Sequence, residues 1–173
     1  MARRAEKCRV TVSGTTGRQY WNFLEKELAR AARLARSSLQ ELSVAVVGEG
    51  KMGQLHRRFM SLKGPTDVLS FEIESGARGA VTSGEVVACL PVAVREARRR
   101  GLQVRRELLL YAIHGMLHLS GFDDTSDAEY AKMHRMEDRI LTSLGMGEVF
   151  ARAVRGKGLG VGKTDDRRGR RCR

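Results

Sequence analysis

The sequence predicts an α+β fold: one small domain with a mixed sheet of about four strands, packed by helices. Three observations lead there. Strand-like and helix-like segments alternate over the first 150 residues, one of the helices is apolar nearly all round, and 173 residues with 42% apolar and 30% charged side chains suit a single ordinary core. A helix that is apolar on every side belongs at the centre of such a core.

Each element has its own signal. Arg9 to Ser13 alternates polar with β-branched residues and reads as a strand, followed by a turn over Gly14 to Gly17. Tyr20, Phe23, Leu24, Leu28, Ala31 and Leu34 recur at helical spacing. Leu42 to Val47 reads as a buried strand, and Met52, Leu55, Phe59 and Leu62 mark a short helix that must stop before Pro65. Val68 to Ile73 is the third strand. A loop with Gly and Ser from Ser75 to Gly84 then leads to a fourth strand, Glu85 to Cys89, and Pro91 suits the first turn of an Arg-rich helix. The central helix runs from about Val104 to Leu119. The last begins at Ser126, whose Ser-x-x-Glu with Glu129 forms a capping box, carries Tyr130, Met133, Ile140, Leu141 and Leu144 as its stripe, and stops at Gly145.

The net charge of +12 is unevenly spread. Residues 151–173 hold nine Lys/Arg against two Asp, with five glycines and almost no large apolar side chain, which predicts a basic disordered tail after a folded domain of residues 1–150. Such tails meet polyanions or serve solubility. No apolar run approaches the 18 residues of a membrane helix, so no membrane partner is expected, and the N-terminus lacks an apolar signal region, which makes the cytoplasm the expected location. Cys8, Cys89 and Cys172 are odd in number and far apart, and read as reduced thiols.

Chemistry concentrates in the segment His114-Gly-Met-Leu-His118-Leu-Ser-Gly121-Phe122-Asp123-Asp124. Histidines at i and i+4 lie about 40° apart on one helix face and about 6 Å apart along the axis, so both imidazoles reach one cation. Gly121 lets the chain leave the helix through a left-handed turn, and three extended residues cover roughly 10 Å, enough to return Asp124 to the histidine face. The spacing H-x₃-H-x₅-D therefore predicts a site for one metal on the central helix, held by His114, His118 and Asp124 with a coordination position left open.

This segment, preceded by Pro65-Thr66-Asp67-Val68-Leu69-Ser70-Phe71 and Gly84-Glu85-Val86, resembles the YbeY family of ribosomal RNA maturation factors, described as zinc-dependent endoribonucleases. The likeness runs from about Leu42 to Leu144 and takes in Met133, Glu137, Ile140 and Leu141 of the last helix. It implies one zinc ion per chain. Of the family's three histidine ligands, the first two fall on His114 and His118 and the third on Asp124, whose carboxylate oxygen is also an accepted zinc ligand. The family's arginine before the T-D-V-L-S-F strand falls on Met60, which leaves Arg57 or Arg58 to supply the phosphate-stabilising cation; with His114 they form the expected catalytic set.

Nearby residues carry weaker expectations. Asp123 reads either as an acceptor that orients a metal-holding histidine or as a turn residue. Glu137 reads either as a supporting carboxylate or as the partner of a buried cation. His134 and His56, among charged neighbours, read as solvated. The arginines at 95, 98, 99, 100, 105 and 106 form either an RNA path or a solvated face.

The resemblance implies a single-strand-specific endoribonuclease acting on ribosomal RNA in maturation of the small ribosomal subunit. An aromatic content of 5% favours reading of backbone charge and shape over base stacking. Two rivals stand beside it. A zinc peptidase needs a glutamate directly after the first histidine, where Gly115 stands. A non-catalytic ribosome assembly factor with a structural metal is the other, favoured by the missing arginine.

Overall fold

The computed structural model describes residues 8–150. Strand β1 (Arg9–Gly14) leads through a 3-10 turn (Arg18–Tyr20) into helix α1 (Trp21–Leu34). Strand β2 (Glu41–Val47) is followed by α2 (Glu49–Met60), and strands β3 (Val68–Ser75) and β4 (Val81–Cys89) by α3 (Leu90–Arg100), α4 (Val104–Leu119) and α5 (Asp127–Ser143). The four strands form one sheet in the order β1-β2-β4-β3. β1 with β2 and β2 with β4 are parallel, whereas β3 runs antiparallel to β4 at the edge, so the sheet is mixed as expected.

The sheet separates two apolar layers. On one face Val44, Val46, Val86 and Ala88 pack with α1, α4 and α5 in the main core. On the other, Val47, Leu69, Val87 and Cys89 pack with Met52 of α2. α4 is buried on nearly every side, from Glu107 to Leu119, as its composition requires. Its approach to the sheet depends on two glycines. A Cβ on Gly115 would stand 2.8 Å from both Val86 Cγ atoms, and one on Gly84 would stand 2.5 Å from Leu119 Cδ1.

Most expected boundaries fall within a few residues. β4 differs, beginning at Val81 rather than Glu85, because Ser83 and Gly84 continue the ladders to both β2 and β3. Gly84 sits inside the strand for close helix packing rather than in a loop. The capping box is formed, with Glu129 N–H donating to Ser126 Oγ at 3.2 Å. Among the described residues Cys8 and Cys89 are buried free thiols, each pushed up by burial. Cys172 and the expected basic tail lie outside the described residues. No helix among the described residues is long and apolar enough to cross a membrane.

Candidate metal centre

α4 ends in a motif that builds the site. Gly121 (φ 95°) donates its N–H to the His118 carbonyl at 3.1 Å, and Phe122 N–H donates to the Leu117 carbonyl at 3.0 Å, a Schellman pair closed by a left-handed glycine. That reversal carries the chain back over the last turn of the helix. Asp123 Oδ1 then accepts the Asp124 N–H at 2.8 Å, which makes Asp123 the turn residue of its two readings. Asp124 is left with its carboxylate facing both histidines, one oxygen 3.9 Å from His114 Nε2 and the other 3.9 Å from His118 Nε2.

The imidazoles are set from behind. His114 Nδ1 faces Glu137 Oε1 at 2.7 Å, and His118 Nδ1 faces the Phe122 carbonyl at 3.2 Å. A carboxylate and a carbonyl only accept, so both Nδ1 atoms must donate, and each neutral ring presents its Nε2 lone pair inward. The two Nε2 atoms stand 3.1 Å apart. Two lone pairs aimed at each other repel unless a proton or cation lies between them. Two nitrogens on one tetrahedral zinc stand roughly 3.3 Å apart, given bonds of about 2.0–2.1 Å. All ligand atoms of His114, His118 and Asp124 lie within 4.8 Å of one another, so the donor set fits a cation. Burial pushes the Asp124 carboxyl above the ordinary aspartate value, against the pull of His114.

Glu137 is the support rather than the partner of a cationic Lys or Arg. It is 0% exposed, with Oε1 accepting from His114 and Oε2 from His134 Nδ1 at 2.5 Å. Burial alone would raise its carboxyl, but the hydrogen bonds from His114 and then His134 hold it below the ordinary glutamate value.

The expectation for His134 is therefore corrected: at 7% exposure it is buried, not solvated. It lies at i+4 from Tyr130, on the apolar stripe, a position that could have revealed it against the charges of Lys132 and Arg135. His56 is corrected likewise. It is 3% exposed and its Nδ1 pairs with the Gly64 carbonyl at 2.8 Å, pinning the chain that leads from α2 to β3.

The basic residues divide. Arg57 and Arg58 are exposed on the last turn of α2, across the sheet from α4, and the Arg58 guanidinium lies 5.4 Å from the Phe59 ring centre. The structure thus does not bring either into the layer that holds the triad. In the later arginine run, Arg95 pairs with Glu49, Arg99 with Glu96, Arg100 with Glu107, and Arg106 with the carbonyls of Gly147 and Glu148. Of these, Arg95, Arg100 and Arg106 join separate segments of the fold, and Arg99 pairs within α3, a use of the run that neither the RNA path nor the solvated face describes. Gly115 faces Val86, so the helix offers no place beside His114 for the glutamate a peptidase would need.

Comparison with known proteins is consistent with this geometry. A family profile described as Endoribonuclease YbeY matches residues 6–145. A protein named Endoribonuclease YbeY from Thermobifida fusca is 40% identical over 129 residues, covering 68% of this chain and 83% of the relative. Proteins of the same name from Micrococcus luteus and Mycobacterium tuberculosis are 39% identical over 119 residues and 37% identical over 131, covering 76% and 74% of those chains and 65% and 68% of this one. The solution structure of TM1509 from Thermotoga maritima has a similar fold, with a TM-score of 0.54 at 23% identity, over 89% of this chain and 99% of that one.

Proposed function

The chain belongs to the endoribonuclease YbeY family, and from that premise we propose that it is a zinc-dependent endoribonuclease that cuts single-stranded RNA, with ribosomal RNA of the small subunit as its substrate and the cytoplasm as its place of work. The observation that carries the metal reading is the pair of Nε2 lone pairs turned onto one point by outward hydrogen bonds, with the Asp124 carboxylate beside them.

In this reading His114, His118 and Asp124 hold one zinc ion. When bound, the ion would supply Lewis-acid polarisation of a phosphate and lower the pKa of a nearby hydroxyl or water. The remaining work belongs to the chain. Glu137 and the Phe122 carbonyl keep both rings in the metal-holding tautomer. The turn at Gly121 and Asp123 holds the third ligand beside the pair. Arg57 and Arg58 meet phosphates flanking the cut rather than the scissile one, because α2 packs on the opposite face of the sheet from α4. The segment 151–173, with its nine cations, is proposed as a further, sequence-independent contact to RNA phosphates.

The test is cleavage of a single-stranded RNA by zinc-loaded protein beside an Asp124→Ala control purified in the same way. Cleavage by wild type and not by the control supports the reading. Equal rates in both would mark a contaminating nuclease, and no cleavage by zinc-loaded wild type would favour the second reading, a ribosome assembly factor with a structural metal. Met60 favours that alternative, since it packs against the apolar cluster at the position of the family's arginine.

A further inference from the structure

His134 has no part in the triad, yet its surroundings are more constrained than packing alone requires. Glu137 is fully buried and has two oxygens to satisfy; His114 takes one and His134 the other. Without the second donor, Oε2 would be an unpaired buried oxygen, an unfavourable state that a carboxylate relieves by rotating away. Rotation would withdraw Oε1 from His114. His134 is itself clamped. Its ring stacks on Phe150 with centres 3.7 Å apart and meets Tyr130 edge-on at 4.0 Å, while Asp138 Oδ1 accepts the N–H groups of Val149 and Phe150 at 2.6 and 3.1 Å and so holds Phe150 in place.

The other ring nitrogen is the informative atom. His134 Nε2 is buried, and among the described residues no group hydrogen-bonds to it. A side chain kept for packing would be better served there by phenylalanine, which has no polar atom to bury. The imidazole's single polar contact is the one at Nδ1, to Glu137.

From this geometry we infer that His134 is a positioning residue of the metal site, acting through Glu137 to hold His114 in its metal-binding orientation; the inference rests on the reading of the triad as a metal centre. The chain of contacts runs from Phe150 through His134 and Glu137 to His114.

The experiment measures zinc affinity by chelator competition and the visible ligand-field spectrum of the cobalt(II) form, in full-length wild type, His134→Phe, His134→Asn and Glu137→Gln. His134→Phe preserves the stack and removes the donor. It is expected to weaken zinc binding roughly 10- to 100-fold, the usual loss for a partner that orients a ligand, and to shift the cobalt spectrum. His134→Asn, whose amide N–H stands in for Nδ1–H, should recover most of the affinity. The double variant His134→Phe/Glu137→Gln should bind no more weakly than Glu137→Gln alone, because His134 acts only through Glu137. Wild-type affinity and spectrum in His134→Phe, with only the melting temperature of the metal-free protein changed, would overturn the inference and leave the metal centre standing. Failure of wild type itself to bind zinc or cobalt would remove the metal centre and the inference together. Should His134→Phe not fold, His134→Leu is measured instead, with the same two outcomes.

Discussion

Two glutamates of this protein are both 0% exposed and behave in opposite ways. Glu137 on α5 has a donor on each oxygen and is held below the ordinary glutamate value even though burial pushes it up. Glu107, in the first turn of α4, meets the Arg100 guanidinium at 3.0 Å, yet neither of its oxygens receives a well-aligned hydrogen bond, and burial pushes its carboxyl up. Equal burial thus gives unequal outcomes, and the difference lies in the number of aligned donors. The satisfied carboxylate stands behind one candidate ligand, His114, whereas the other joins two helices.

The comparison breaks most completely at the ligands themselves. His114→Ala, His118→Ala or Asp124→Ala should take zinc content from about one ion per chain to none by elemental analysis, while Glu107→Gln should leave it unchanged. Next in size is the loss of the supporting carboxylate. Glu137→Leu strands two buried imidazole donors at about 1–3 kcal/mol each, and denaturant unfolding of the metal-free protein should show a loss of that order. Replacing Glu107 and Arg100 together by Leu and Met should be neutral or stabilising, by at most about 1–4 kcal/mol, since a buried ion pair with incomplete hydrogen bonding does not recover its desolvation. A large loss from that double change, measured the same way, would mean that the two carboxylates are equivalent after all.

The smallest effect is the response to pH, and its sign differs between the two. The folded-state value of Glu137 is lowered, so its stabilisation is present above the unfolded value near 4.5 and is lost as pH falls through the folded value. That of Glu107 is raised, so its contribution is full below 4.5 and is lost as pH rises through the folded value. In metal-free protein, the stability difference between wild type and Glu137→Gln should therefore shrink on acidification below pH 4.5. Glu107→Gln should instead gain on wild type as pH rises above 4.5 toward neutrality. Parallel curves for either variant would break the contrast.

The triad was legible in the sequence because its signals are local. Two histidines one helical turn apart and a glycine stop are all written within eleven residues. The strand pattern was legible for the same reason, up to the start of β4, where pairing on both sides draws Val81–Gly84 into the ladder against the turn preference of Ser and Gly. The charged neighbours of His134 and His56 suggest solvation, whereas their contacts lie farther along the chain, at Phe150 for one and the Gly64 carbonyl for the other. Arg57 and Arg58 lie near the family's motif in sequence, and only the packing of α2 against Val47, Leu69, Val87 and Cys89 puts them in the opposite layer from α4.

The reversal at Gly121 means that the triad is drawn from two regions of unequal local stability. His114 and His118 belong to a helix sealed into the core, whose amides should exchange with solvent only when the domain opens widely. Asp124 belongs to the chain just past the helix, with exposed neighbours at Asp123 and Thr125. A cation held by all three would fasten the faster-exchanging region to the slower one. Deuterium uptake over residues 122–125 should then report occupancy of the site, while uptake in the middle of α4 stays nearly the same with and without metal.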